Sequence, residues 1–95
     1  MTELDPLIHA PARLQLLTTL SAVSEAEFAT VREALDVSDS VLSKHLGALE
    51  EVGYVRRHKG VHRGRRTTWI SPTPRGRKTL SAHVTALRAS IDSVP

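Results

Sequence analysis

Val37-Ser38-Asp39-Ser40-Val41-Leu42-Ser43-Lys44-His45-Leu46-Gly47-Ala48-Leu49-Glu50-Glu51-Val52-Gly53 is the stretch on which the fold of this chain turns. It opens with a tight polar connection, Val37 to Ser40, in which the Ser38 oxygen can accept an N–H left free in a helix's first turn. Leu42, Leu46 and Leu49 then recur at i, i+4 and i+7, which predicts a helix from about Asp39 to Val52 with one apolar stripe turned inward. Gly53 suits the left-handed residue that ends such a helix. The opposite face carries Ser40, Val41, Ser43, Lys44, Gly47 and Ala48, with no carboxylate between Asp39 and Glu50. A helix face meant only for solvent is commonly laced with Glu–Lys pairs. This one is shaped for close approach to another surface.

Upstream, Asp5-Pro6 reads as a cap followed by proline at the first helical position, with Leu4, Leu7 and Ile8 at helical spacing. Pro11 interrupts that helix and opens a second run containing Leu14, Leu17 and Leu20. Ser24-Glu25-Ala26-Glu27 has the spacing of a capping box, although Phe28 can instead belong to a short strand. On either reading Val31 and Leu35 give the apolar stripe of a short helix ending near Asp36.

Downstream of Gly53 the period changes from helical to alternating. Val55 and Arg56 point opposite ways, and Thr68, Ile70 and Pro72 share a face opposite Thr67, Trp69 and Ser71. Between these runs lies Lys59-Gly60-Val61-His62-Arg63-Gly64-Arg65-Arg66, in which two glycines bracket a turn, so a basic hairpin is expected. Thr73-Pro74 repeats the cap-plus-proline start and opens a last helix with Leu80, Val84, Leu87 and Ile91. That 4, 3, 4 spacing is a narrow seam suited to a partner helix, in competition with packing on its own domain.

Charge divides the chain. Residues 1–53 carry three cations against nine carboxylates, a balance of −6, and residues 54–95 carry ten cations against Asp92 alone, a balance of +9. Nine of those cations fall between Arg56 and Lys78 with no acid among them. So dense a run of like charge repels itself unless an anion compensates it. The 95 residues suffice for one small domain, and the composition, 40% hydrophobic and 24% charged, is globular. The absence of cysteine excludes disulfide scaffolds, thiolate metal sites and cysteine nucleophiles. No apolar run approaches the roughly 18 residues a membrane span needs, nor does the N-terminus read as a leader, so no membrane association and a cytoplasmic location are expected.

Helix, helix, tight turn, helix with a small polar face, basic hairpin, helix: this order reads as a helix-turn-helix followed by a wing. Ser and Lys on the third helix can reach base edges in a major groove, and an exposed Val or Ala can touch a thymine methyl. An arginine-tipped hairpin reaches adjacent phosphates or the minor groove, releasing counterions. The expected fold is therefore mainly α with a small β-hairpin wing, a single domain over 1–95. The helix-turn-helix occupies about 24–55, the wing 55–72 and a dimerisation helix 73–93.

Phe28 to Leu35, Val37 to Leu46 and Leu49-Glu50-Glu51-Val52-Gly53-Tyr54-Val55 together resemble the winged-helix regulators of the ArsR and MarR type, especially the compact single-domain winged helix DNA-binding regulators. Thr73-Pro74-Arg75-Gly76-Arg77 is similar to the Thr-x-x-Gly start of their last helix, and the likeness spans about residues 7–88. Pro72 departs from the leucine that precedes this threonine in such relatives. The resemblance implies a homodimeric transcriptional regulator, usually a repressor, whose partner is double-stranded DNA. It implies a recognition surface at Ser40, Val41, Ser43, Lys44 and His45, and Ser38 and Asp39 at the start of the helix are expected to join it. The wing contacts expected are Lys59, His62, Arg63, Arg65 and Arg66. The dimer is expected to use Leu4, Leu7, Ile8, Leu80, Val84, Leu87 and Ile91 of the terminal helices.

Other readings compete. A winged helix can serve as a protein-interaction module, its basic wing gripping an acidic partner. A metal-responsive repressor is the remoter alternative. His9, His45, His58, His62 and His83 form no i, i+3 or i, i+4 pair on one helix, and only the arms of the hairpin could bring His58 and His62 together, so no metal and no cofactor are expected. Tyr54 and Trp69 read as packing at the hairpin root. A small-molecule effector is left open, with a cleft inside the dimer as its place. No paired acid and base, phosphate loop or nucleophile–base arrangement argues for an enzyme.

Overall fold

The computed structural model describes residues 6–93. Within them the order is α1 (Pro6–His9), α2 (Pro11–Ser21), β1 (Ala26–Glu27), α3 (Phe28–Leu35), α4 (Asp39–Glu51), β2 (Val55–His62), β3 (Arg65–Pro72) and α5 (Pro74–Asp92). The strands form an antiparallel sheet in the order β1-β3-β2. This is the expected mainly helical domain with a hairpin wing. Leu4 and Asp5, expected to open the first helix, lie outside the described residues.

Local rules account for most boundaries. Pro11 stands at the start of α2, where its missing N–H costs nothing. At Ser38 the side-chain oxygen accepts the Val41 N–H at 3.2 Å, capping α4. Gly53, at φ +77°, closes α4: its N–H reaches the Glu50 carbonyl at 2.9 Å while the Tyr54 N–H reaches Leu49 at 2.9 Å, the paired bonds of a left-handed helix stop. Asp36 at φ 54° performs the same service for α3, with Val37 donating to Arg32 at 3.3 Å.

The core is built largely from the stripes predicted, with Leu16 in addition and with Leu14 and Leu35 only half-buried. Leu16, Leu17 and Leu20 of α2, Val31 of α3, Leu42, Leu46 and Leu49 of α4, Val55 of β2 and Ile70 of β3 are all buried. Each such side chain contributes about 1.5–3 kcal/mol by leaving water. The α4 triplet therefore fixes which face of that helix points away from the protein.

Two local expectations are corrected. The capping box at Ser24 does not form: Ala26 and Glu27 pair with Ile70 and Trp69, Glu27 precedes the helix in extended conformation without a side-chain cap, and Phe28 opens α3. A pairing partner more than forty residues away outcompetes a cap worth ~1 kcal/mol. Gly60 is not at the turn. It sits in β2 opposite Thr67, and the Trp69 indole occupies the space a Cβ would need, 2.6 Å from its Cδ1. As expected, β3 continues through Pro72, which pairs with Val55 as its last residue, where a missing donor is tolerated.

The wing root is locked to the start of α5. Thr73 Oγ1 caps α5 by accepting the Gly76 N–H at 2.9 Å and donates its own proton to the Gly53 carbonyl. The Thr73 N–H reaches the Tyr54 carbonyl at 3.0 Å. Gly76 is required here by space rather than by φ, because a Cβ would collide with the Tyr54 carbonyl oxygen. The Thr-x-x-Gly spacing is thus the means by which the chain enters and leaves the wing at one point.

Candidate nucleic-acid interface

With Leu42, Leu46 and Leu49 inward, α4 turns Ser40, Val41 and Lys44 to the exterior, and Val41 is 40% exposed. Ser38 and Ser40 share a hydroxyl contact at 3.2 Å at the helix start. Asp39 is also exposed, but Arg32 of α3 meets its carboxylate at 3.0 Å, so its negative charge is compensated by the protein. Ser43 is half-buried on the side facing the hairpin. His45 turns back towards α2, where Arg13 Nε donates to its Nδ1 at 3.1 Å. Burial, followed by the charges of Arg13 and Lys44, holds the imidazole below its ordinary pKa. His45 is therefore neutral at pH 7, with its proton on Nε2, and braces α4 against α2.

The hairpin turns through Arg63 and Gly64, at φ 54° and 77°. Two consecutive left-handed residues match the right-handed twist of the strands, and Asn or Gly fills the first position without strain. Arginine there carries a conformational cost of order 1 kcal/mol. Lys59, Arg63, Arg65 and Arg66 are exposed, and Lys59 Nζ donates to Thr68 Oγ1 at 3.2 Å. His58 and His62 do not meet across the arms: both stand on one face of β2, each with a different carboxylate, Glu25 at 3.5 Å and Glu27 at 3.3 Å. His62 also packs edge-on against Trp69.

Alternation puts Val55, Arg57, Lys59 and Val61 on the other face, towards α4. There an open cleft of about 550 Å³ separates α4 from the hairpin, and its lining includes Phe28, Asp39, Ser43, Arg57, Lys59 and Thr68. Sequence reading missed Phe28, Arg57, Thr68 and the 66% exposed Val61 as members of this surface. The signal was present for two of them: Arg57 and Val61 follow Val55 at even spacing and must share its face. Arg57 is held by Glu50 of α4, with Nη2 and Nε at 2.6 and 2.8 Å from one carboxylate oxygen.

A short polar helix face whose Asp39 is paired with Arg32, a cleft and an exposed cationic blade stand side by side. The chain matches the winged helix DNA-binding domain family over residues 12–91. The chain belongs to that family. As a winged-helix protein it is 32% identical over 78 residues to uncharacterized protein MJ0432 of Methanocaldococcus jannaschii, covering 82% of this chain and 85% of that one. Among solved structures it is similar to a transcriptional regulator homologue from Pyrococcus horikoshii OT3, with a TM-score of 0.85 at 28% identity, covering 90% of this chain and 85% of the other. It is also similar to a MarR-family transcriptional regulator from Silicibacter pomeroyi, with a TM-score of 0.70 at 31% identity. That match covers 85% of this chain and 53% of the larger protein. Family and neighbours together identify a transcriptional regulator.

The winged-helix core also absorbs part of the expected dimer seam. Ile8 is fully buried and Leu80 is 8% exposed within the domain itself, so both serve mainly its own core. Leu7, Val84 and Leu87 are half-buried, and Ile91 is 69% exposed. Leu4 lies outside the described residues. Among the described residues no three His, Cys, Asp or Glu side chains converge on a possible metal position, and no helix is long and apolar enough to cross a membrane. His9 and His83, 74 positions apart, pair at 3.4 Å between α1 and α5, a contact invisible in the sequence.

Proposed function

We propose that this winged-helix regulator is a homodimeric repressor acting on promoter DNA in the cytoplasm. Two copies of α4 enter successive major grooves about one helical turn apart on an imperfect palindrome. Ser40, Val41 and Lys44 meet base edges, with Ser38, Ser43 and Asp39 at the rim, and Lys59, Arg63, Arg65 and Arg66 meet phosphates or the minor groove. His62 supports the blade from its reverse face and His45 steadies the helix. Binding blocks polymerase sterically, and no chemical step is involved.

The observation that carries this reading is the exposed Ser40, Val41 and Lys44 of α4, whose neighbouring acid Asp39 is paired with Arg32, standing beside the exposed arginines of the hairpin. Selection from a pool of random duplexes tests it. The expected product is an inverted repeat with half-sites about 10 base pairs apart. Recovery of no motif contradicts the reading and directs attention to acidic protein partners. For the dimer, Leu87, Val84, Ile91 and Leu7 form the remaining apolar strip on the terminal helices. Leu87→Asp should yield monomers in sedimentation and lose most operator affinity, and a variant that stays dimeric places the interface elsewhere.

A further inference from the structure

Glu50 occupies an unfavourable place. It lies in the last turn of α4, where the helix dipole presents negative charge and acidic side chains are disfavoured. Arg57 offsets this from the next element, with both of its bonds falling on the same Glu50 oxygen and both side chains 31% exposed. Arg57 is also one alternation beyond buried Val55 and directly opposite buried Ile70. Its stem therefore leaves the rim of the core, and its head is the point at which the blade is tied to the helix. The reverse face is tied separately, by Glu27 to His62 and to Thr67 at 2.9 Å and by Glu25 to His58.

Leverage makes such a tie consequential. From Arg57 to the turn at Arg63 the strand runs about 20 Å at ~3.4 Å per residue, so a rotation of about 10° at the root displaces the tip by about 3.5 Å. That displacement is longer than a hydrogen bond and is enough to lose phosphate contacts at the tip while α4 stays in register. We propose that Glu50–Arg57 is a positioning pair that sets the angle between the wing and α4, and that Arg57 acts on DNA binding through Glu50 rather than by touching a phosphate. The consequence for DNA rests on the reading of the preceding subsection. The consequence for the wing does not.

The chain has no cysteine, so spin labels at Lys44→Cys and Arg65→Cys report the distance between helix and blade without DNA. The parent pair should give a narrow distribution, Glu50→Gln one about twice as wide, and the charge swap Glu50→Arg with Arg57→Glu, which leaves net charge unchanged, a narrow one again. Arg57→Lys keeps the charge but loses the fork and should fall between. In unlabelled protein Glu50→Gln should lower the preference for the selected duplex over a shuffled one about tenfold, with the swap recovering to within about threefold. Arg57→Gln should lower that preference similarly while leaving the salt slope unchanged, whereas loss of a phosphate contact would lower the slope by about 0.9.

An unchanged distance distribution in Glu50→Gln overturns the proposal. So does tighter binding with a steeper salt slope in that variant, which would make Glu50 a restraint on a phosphate-binding arginine. If the unmodified protein prefers no duplex, the functional reading fails, and the distance measurements still decide the role of the pair.

Discussion

The two ends of one hairpin obey different rules. At its root Val55 and Ile70 are buried, Thr73 bonds back to Gly53, and Gly76 leaves no room for a methyl group beside the Tyr54 carbonyl. Every polar choice there satisfies the protein. At the tip Val61 is 66% exposed, Arg63 holds a left-handed backbone that asparagine would hold without strain, and the arginines stand in solvent. Choices there add strain rather than stability to the isolated domain and fit the proposed contact with DNA. The comparison separates what the sequence needs to fold from what it needs to bind, within about twenty residues of each other.

Substitutions at the two ends should therefore fail differently. Gly76→Ala drives a methyl into the backbone at the root and should cost about 3 kcal/mol or more, read as a fall in the denaturant midpoint, with DNA binding lost only as the fold is lost. A stability within about 0.5 kcal/mol of the parent would show that the root can relax. At the tip Arg65→Ala should leave the unfolding transition in place while weakening binding to both cognate and shuffled duplexes about tenfold, with a salt slope lower by about 0.9. An unchanged slope removes Arg65 from the phosphate contacts. Arg63→Asn sharpens the contrast, since it should raise stability by about 0.5–1 kcal/mol and weaken binding at the same time. If neither quantity moves, the turn stores no strain for function.

The smallest effect expected lies outside the hairpin, at His45 of α4. Its native form resists protonation, so the unfolded chain takes up the proton first. The stability that follows is at its full value above the ordinary histidine pKa and declines as pH falls below it. Between about pH 7 and pH 5 the parent should lose stability that His45→Gln retains, since glutamine can still accept the Arg13 N–H without titrating. Parallel pH profiles for the two proteins would remove His45 from the acid response.

Legibility in the sequence follows the same division between local and distant. Ser38, the Leu42–Leu46–Leu49 triplet, Gly53 and Thr73-Pro74 act through neighbours within a turn or two, so α4, its ends and the start of α5 were legible in the sequence. The face of α4 was legible because its burial follows from one period. Where the deciding partner was distant, the local signal misled or was silent. Ser24 offered a cap, but Ile70 and Trp69 claimed Ala26 and Glu27 for a strand. Gly60 looked like a turn because glycine commonly is one, whereas its reason is the indole across the hairpin. Glu50 and Arg57 are seven residues apart with a helix end between them, so nothing in their spacing announces a contact. Ile8 and Leu80 read as seam residues, and only the folded domain shows their burial in its own core.

The central claim, that α4 and the wing together read a duplex sequence, is tested most directly by fluorescence anisotropy. The unmodified protein is titrated against the selected inverted repeat and a shuffled duplex of equal composition at two salt concentrations. The account predicts a preference of about a thousandfold or more for the repeat, with affinity for both duplexes falling steeply as salt rises. Equal, salt-sensitive binding to the two would contradict it, leaving a basic blade that holds polyanions without reading them.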